Sequence, residues 1–547
     1  MVETIGFPVT ANQSSAGDYL PIDSDTLAGC TVTNSSAYAV EYSTGGVWTT
    51  IAAGGSATIN TGAIATTSLR FRKKTGDSIP VVLSVAVTHP GITPAQLATD
   101  AGGVYITSGS ASYGINKIKN RHELKSQAAA RLMMFRGAST FSKSAESGFV
   151  VADDTVNIYN GKPTVKLTVP NTLGGSITKL MAAPVDISTS DNITVAYYLP
   201  DTIPASGSIT VYLASDAALN TLTNRIQGVF SLGGVAKPGW NTFTLLKSEF
   251  TTSGSPDLTS IKQVRLRVDQ SSGANYDVSF AELLFGYKHR PTITLMADDG
   301  YTEQYAKSGL TQTPEGMDGG FYSYLKYKGL PGSIAVIGSQ VGYAGGHGFL
   351  SESNLYEMYG NGFDLVTHGE ENLVTHYAND AARFANIERN RSYLKDRGFT
   401  RGADCYVYPE GQYSLSIAAY LRSAGFLGAR TLFGPTLLSG VTHGFGPYCN
   451  NKFAIHSCTM GNQTFATIKP IIDRAIAMGH SLVLYIHWLT TGAPGGDTMI
   501  TQYSEFTQVV DYVAGLRDQD VVDVVSFSRL CRMVAEQEFS ATAEATA

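Results

Sequence analysis

Residues 291–300 read Pro-Thr-Ile-Thr-Leu-Met-Ala-Asp-Asp-Gly. Thr292 to Ala297 are β-branched or apolar with a proline in front, which predicts a short buried strand. Asp298 and Asp299 stand side by side at its mouth, and Gly300 ends the run. Two carboxylates there are costly unless something positive sits between or beside them. A divalent ion on one and a proton-transfer task for the other would account for both. Asp-Gly is also a common turn pair, so this stretch alone leaves a plain polar turn open.

Downstream, short apolar runs alternate with amphipathic helices. Candidate strands are 292–297, 333–337, 363–367, 404–408, 482–486 and 521–525. One helix is predicted from Ala381 to Arg397, with Phe384, Ile387 and Leu394 on one side and Gly398 as its stop. A second spans 415–424 and stops at Gly425. A third carries Ile468, Ile471, Ile472, Ala475 and Ile476 and stops at Gly479. A fourth carries Phe506, Val509, Val510, Val513 and Leu516. Spacing at i, i+3 and i+4 with a terminal glycine marks helices. The alternation argues for a parallel α/β barrel or a doubly wound sheet.

In such folds the carboxyl ends of the strands form one face, where active sites lie. Asp298 and Asp299 follow the first strand and His368 follows 363–367. Pro409-Glu410-Gly411 follows 404–408, and His487 and Trp488 follow 482–486. Residues far apart in sequence are therefore expected to converge. His89, His122, His289, His347, His443, His456 and His480 follow no such pattern and read as structural or solvent-facing.

The 547-residue chain suggests roughly three or four domains. It is 43% apolar and 15% charged, with a formal net charge of −6, which argues against a nucleic-acid binder. Five scattered cysteines make no disulfide framework; Cys449 and Cys458 could pair or remain buried thiols. The N-terminus lacks a charged region followed by an apolar core, so no secretory signal is expected. No run reaches the ~18 apolar residues of a membrane span. Residues 1–90 read as a small β-sandwich, with runs at Ala37–Tyr42, Val47–Ile51 and Val81–Val87. Residues 91–140 read as a connector. Thr93-Pro94-Ala95 could open a helix, and the basic stretch from Ile115 to Phe135 is a solvated helix or linker. Residues 141–289 again read as all-β, a jelly-roll or galactose-binding-like sandwich in which Trp240 and the tyrosines could stack on sugar rings or fill the core. Residues 290–547 form the α/β domain.

This last segment resembles the NodB-type polysaccharide deacetylases, carbohydrate esterase family 4. The family's Thr-Phe-Asp-Asp-Gly motif corresponds to Met296-Ala297-Asp298-Asp299-Gly300. Its His-(Ser/Thr)-x-x-His motif corresponds to His368-Gly369-Glu370-Glu371-Asn372. Tyr408-Pro409-Glu410-Gly411-Gln412-Tyr413 matches the third motif in its Tyr-Pro-x-Gly-x-Tyr form, and Leu484-Tyr485-Ile486-His487 matches the last. The resemblance covers about 291–530. There are departures. Asn372 stands where the family has its second metal histidine. His376 lies eight residues past His368, about 12 Å along a helix axis. The usual motif-three arginine is missing, with Val407 or Tyr408 in its place. No fourth motif is visible between 430 and 460.

The resemblance implies that Asp299, His368 and Asn372 hold a divalent metal, zinc by family habit. Asp298 would be the general base and His487 the acid toward the leaving group. The backbone near Glu410 would bind the oxyanion, and Tyr408, Pro409, Tyr413 and Trp488 would line the substrate. The reaction implied is hydrolysis of N- or O-acetyl groups on a bacterial surface polysaccharide. The arrangement of β modules before an enzyme looks like a bacteriophage tail spike. It carries the expectation of a homotrimer in the virion, with other tail or baseplate proteins as partners and no membrane insertion. The alternatives are a non-catalytic glycan receptor-binding tail protein with a decayed metal site, a glycoside hydrolase using a carboxylate pair, and a purely structural virion protein.

Overall fold

Strand β1 (Thr292–Ala297) is buried at all six positions, as its unbroken apolar and β-branched run demands. The remaining parallel strands are β2 (Ser333–Val336), β3 (Asp364–Thr367), β4 (Cys405–Val407), β5 (Gly428–Leu432), β6 (Ile455–Thr459), β7 (Ser481–Ile486) and β8 (Asp523–Val524). They pair in chain order from β2 to β7, then β7 pairs with β1. β1 closes the ring through Met296↔Ser333 and Ala297↔Ile334, while β8 joins its other end through Thr292↔Asp523 and Ile293↔Val524. The result is a closed seven-stranded parallel barrel with β8 wedged in beside β1, which resolves the barrel-or-open-sheet alternative. Between the strands run α1 (Phe321–Tyr327), α2 (Glu352–Gly360), α3 (Asp380–Asp396), α4 (Thr400–Ala403), α5 (Leu415–Ser423), α6 (Phe465–Met478) and α7 (Tyr503–Asp518).

The computed structural model describes residues 2–9, 18–19, 29–34, 39–43, 48–59, 70–73, 81–88, 98–100, 103–105, 130–159, 162–171, 174–200, 207–232, 236–270, 274–286, 290–306, 319–371, 379–432 and 451–533. Asn372, His376, His443, Cys449 and the expected helix near Thr93 lie outside them, as does most of the basic stretch before 130.

The helix boundaries follow from their caps. Asn379, Ser414 and Thr464 each accept a backbone N–H three residues on, opening α3, α5 and α6. Gly479, at φ 66°, ends α6 in the left-handed region. The expected strands and long helices match to within a few residues. Strands β5 and β6 and helices α1, α2 and α4 are additional. Gly-Ala-Arg-Thr-Leu and Ile-His-Ser-Cys-Thr are too polar and too short to stand out by periodicity.

Residues 130–286 form two antiparallel six-stranded sheets. One runs 150–159, 162–169, 276–285, 192–199 and 239–246, with 130–134 also paired to 276–285. The other runs 142–143, 174–185, 261–270, 207–214, 225–231 and 251–253. Alternate residues such as Val165, Leu167 and Val169, or Val264, Leu266 and Val268, fill the space between them. The end of the basic stretch, Ala130–Met134, is thus a strand rather than a helix. Sandwich and barrel belong to one compact unit, Gln127–Ser351 with Asp364–Ala547. Within it, Asn192 Nδ2 donates to Met478 O at 3.1 Å and Tyr413 Oη to Pro238 O at 3.0 Å. The other unit comprises Met1–Ser126 and Glu352–Phe363. Its strands form two four-stranded sheets, 2–9/81–88/29–34/56–59 and 18–19/70–73/40–43/48–51, and a two-stranded pair, 98–100/103–105.

Cys405, Cys458 and Cys531 are buried free thiols. Among the described residues no helix is long and apolar enough to cross a membrane.

Candidate functional site

The barrel places Asp298, Asp299, His368 and His487 together at the carboxyl ends of β1, β3 and β7. Asp298 and Asp299 diverge because their backbones differ: Asp299 sits at φ 75° and Gly300 at φ 83°. A non-glycine residue there is uncommon, and asparagine and aspartate bear it best. Asp298 N–H donates to Ile486 O at 2.9 Å, which fixes the first aspartate beside the end of β7. Gln304 completes the junction: its Nε2 donates to Asp298 O at 2.5 Å and to His487 O at 2.6 Å. One buried amide thereby ties the backbone of both segments.

Each aspartate has its own positive partner. Asp298, 2% exposed, receives the guanidinium of Arg430 on β5, with Nη1–Oδ1 at 3.1 Å and Nη2–Oδ2 at 2.5 Å. Arg430, 1% exposed, lies over the Tyr485 ring at 4.4 Å. Burial and the aspartate alongside push the Tyr485 phenol up to about 12 despite that cation. Asp299 Oδ1 lies 3.2 Å from His368 Nε2. Burial of Asp299 favours its neutral form. It is outweighed by the hydrogen bond and charge of His368, the charge of His487 and a hydrogen bond from Tyr301, so the carboxyl stays below its ordinary value. His368 is the mirror image: burial opposes its charge, yet Asp299, Asp298 and the Val407 carbonyl raise its pKa. For His487 burial wins and lowers the pKa, with Arg430 and His368 adding to the effect against the two aspartates. Its Nδ1 is buried with no partner among the described residues.

The His368 loop is held from behind by α3. Asn390 Oδ1 accepts His368 N–H at 2.8 Å, and Asn386 accepts Glu371 N–H at 2.9 Å. Gly369 is required between them: its φ is 91°, and a Cβ would lie 2.6 Å from Asn386 Nδ2. His368 Nδ1 faces Val407 O at 2.9 Å. A carbonyl can only accept, so Nδ1 carries the proton and Nε2 points its lone pair, or a second proton, at Asp299.

The fit of a metal can be tested on this pair. Two ligands about 2.0–2.1 Å from one tetrahedral ion stand about 3.3 Å apart, close to the observed 3.2 Å. The Val407 hydrogen bond is the outer support a metal-binding histidine needs. Asp299 and His368 therefore suit an ion. Among the described residues no group of three His, Cys, Asp or Glu side chains could hold one, and Asn372 and His376 lie outside them.

The loop after β4 carries the other expected residues. Glu410 is exposed and left-handed at φ 53°, with Gly411 at φ 67° following. The bend is fixed by Gly411 N–H to Tyr408 O at 3.0 Å and Thr431 Oγ1 to Gly411 O at 2.9 Å. Pro409 is buried. Tyr408 is 1% exposed in the core, its hydroxyl donating to Phe453 O at 2.8 Å. Tyr413, half-buried, reaches the sandwich at Pro238. Neither tyrosine is placed as the substrate wall expected of it; one fills the core and the other joins two domains. Trp488 does border the site, edge-on to Tyr301 with ring centres 5.0 Å apart.

Motif three lacks its arginine, with Val407 or Tyr408 in that place. A guanidinium meets Asp298, but from the next strand. The signal was a lone arginine inside Phe426-Leu-Gly-Ala-Arg-Thr-Leu432, directly after the helix stop at Gly425. Gln304 gave no comparable signal.

No protein-family model and no curated protein matches this sequence. Among solved structures, a carbohydrate esterase of family 4 from Streptomyces lividans, in complex with acetate, is 13% identical. The alignment covers 43% of this chain and 91% of that one, with a TM-score of 0.25. A putative polysaccharide deacetylase from Mycobacterium smegmatis is 17% identical, covering 46% and 91%, with a TM-score of 0.28. A family 11 carbohydrate-binding module from Clostridium thermocellum is 15% identical, covering 28% and 94%, with a TM-score of 0.23. The structural neighbours are thus polysaccharide deacetylases and carbohydrate-binding modules, each over part of the chain.

Proposed function

We propose that the chain is a metal-dependent deacetylase that hydrolyses N- or O-acetyl groups on a bacterial surface polysaccharide. One observation carries this reading. An arginine-clamped aspartate, an aspartate–histidine pair with the spacing of two metal ligands, and a second, half-buried histidine meet at the mouth of one parallel barrel. Asp299 and His368, with Asn372 as third ligand, would hold a divalent ion, zinc by its ligand type. Such an ion, when bound, polarises the acetyl carbonyl and lowers the pKa of a water beside it. Asp298 takes the proton of the attacking water, and the two-pronged bond from Arg430 holds its carboxylate in place. His487 is the proton donor to the departing amine or alcohol; because burial lowers its pKa it is neutral at rest and takes up a proton before that step. The backbone N–H of Glu410, in the exposed turn, would donate to the oxyanion. Pro409 shapes that turn, and Trp488 borders the sugar.

The β-rich modules ahead of the barrel support carriage on a virion tail spike. In that setting 1–90 attaches, 91–140 connects, 141–289 forms the sandwich and 290–547 is the enzyme. The assembly would be a homotrimer that contacts other tail proteins and acts at the bacterial surface. Proton NMR of acetylated capsule or lipopolysaccharide glycans, before and after treatment with zinc-loaded protein, tests the activity. Loss of acetyl methyl signals with appearance of free acetate is expected. Unchanged spectra, where a control deacetylase acts, reject it.

Asn372 in a histidine's place favours a second reading, a glycan-binding tail protein whose metal site has decayed. Metal analysis with and without chelator separates the two: the decayed site carries no stoichiometric ion and binds glycan unchanged.

A further inference from the structure

The loop 338–350 follows β2 and is laced to the Asp298-Asp299-Gly300 turn. Leu350 N–H donates to Gly300 O at 2.8 Å and Thr302 N–H to Gly348 O at 3.2 Å, and Tyr301 and Phe349 form an antiparallel bridge. The lacing assembles an aromatic ridge that starts at the reaction centre. Its inner member, Tyr301, hydrogen-bonds Asp299. Trp488 stands next to Tyr301, and His347 lies flat on Trp488 with ring centres 4.2 Å apart and planes 14° from parallel. His347 Nδ1 is 3.4 Å from Glu303 Oε1; the imidazole side chain is 50% exposed and the glutamate 7%. Tyr343, 58% exposed, extends the ridge against Phe349 at 6.3 Å.

A histidine that only filled space would be covered. Here a stacked ring and a buried carboxylate hold an imidazole whose outer face is open to solvent, so the cost of ordering it is met before anything binds. A flat aromatic face beside hydrogen-bonding nitrogen and phenol groups suits a pyranose, which offers C–H groups on one face and hydroxyls at its rim.

We propose that His347 and Tyr343, backed by Trp488 and Glu303, form a subsite for the sugar adjoining the acetylated one. This rests on the deacetylase reading and adds that the preferred substrate is a chain of at least two linked sugars.

His347→Ala and Tyr343→Ala change exposed side chains and should fold. Two substrates separate their effects: 4-nitrophenyl acetate, which brings only the acetyl group, and fully N-acetylated chitotetraose. Each variant should raise KM for the tetrasaccharide about tenfold with kcat within about twofold, and leave kcat/KM for the small ester unchanged. Equal losses on both substrates, or no change on the tetrasaccharide, overturn the subsite. Titration calorimetry of chitotetraose into the chelator-treated chain gives a readout independent of turnover. Binding that weakens about tenfold in His347→Ala supports the subsite even if wild-type protein releases no acetate. Absent or unaltered binding overturns it.

Discussion

Arg430 and Asp298 meet as a two-pronged pair inside the barrel, each guanidinium Nη on its own carboxylate oxygen. Both side chains are almost fully buried, so neither charge can turn to water if the other is removed. Arg430→Met should cost about 3–5 kcal/mol of stability by leaving Asp298 charged and unpaired. Pairing it with Asp298→Asn should recover most of that loss but no acetate release. Chemical denaturation and acetate assays on the single and double variants check both halves.

The ion site should titrate with the histidine. His368 is raised by its aspartate, so below that raised pKa a proton must leave Nε2 before an ion can bind. Apparent zinc affinity should fall about tenfold per pH unit in that range. Competition titrations between pH 5 and 8 measure the slope, and His368→Ala should remove the stoichiometric ion.

Stability of the metal-free protein should peak near the ordinary histidine value of 6.5. His368, raised on folding, contributes fully below that value, and its contribution is lost as pH climbs through the folded pKa. His487, lowered on folding, is neutral in the native state, and the unfolded chain binds the extra proton as pH drops below 6.5. Its contribution is lost on the acid side. Thermal melts from pH 5 to 8 should show the maximum, and His487→Gln should flatten the acid limb alone.

Glu410 occupies a left-handed conformation that glycine adopts at little cost. Glu410→Gly should therefore leave stability unchanged or raise it by up to about 1 kcal/mol. Because only its backbone faces the chemistry in the proposed mechanism, kcat should stay within about twofold. A large fall in kcat would assign the carboxylate a role of its own.

Gln304 ties the carbonyls of Asp298 and His487. Gln304→Met keeps the volume and removes both bonds, so it should cost about 1–3 kcal/mol. It should also lower kcat more than KM, by letting base and acid drift apart. Steady-state kinetics on an acetylated oligosaccharide measures the split.

Much of this site could be read from residue order because its parts stand at strand ends. The apolar runs before Asp298, His368 and His487 announce strands, and a parallel barrel gathers their ends whatever lies between. Arg430 was hidden for the opposite reason. It points into the barrel from the middle of β5, where a charge breaks the apolar pattern that would have marked the strand. Its burial is tolerable only because Asp298 is there, a pairing across 132 residues that no local spacing encodes. Tyr408 and Tyr413 sit two and seven residues beyond Tyr406 in β4, yet one turns into the core and the other toward Pro238. That choice is made by the neighbouring domain. His347 lies in a glycine-rich loop with no periodicity, and only the folded lacing brings it to the rim.

The junction between sandwich and barrel has a practical outcome. The last sandwich strand ends at Phe285 and β1 begins at Thr292, and side-chain bonds tie the two parts together. Asn192, Pro238 and Glu249 on the sandwich side are bonded to Met478, Tyr413 and Arg474 on the other. A truncation at residue 290 would strip α6 and the Glu410 turn of these supports. Anyone transplanting the barrel onto another scaffold should carry the sandwich with it, as a buttress rather than as cargo.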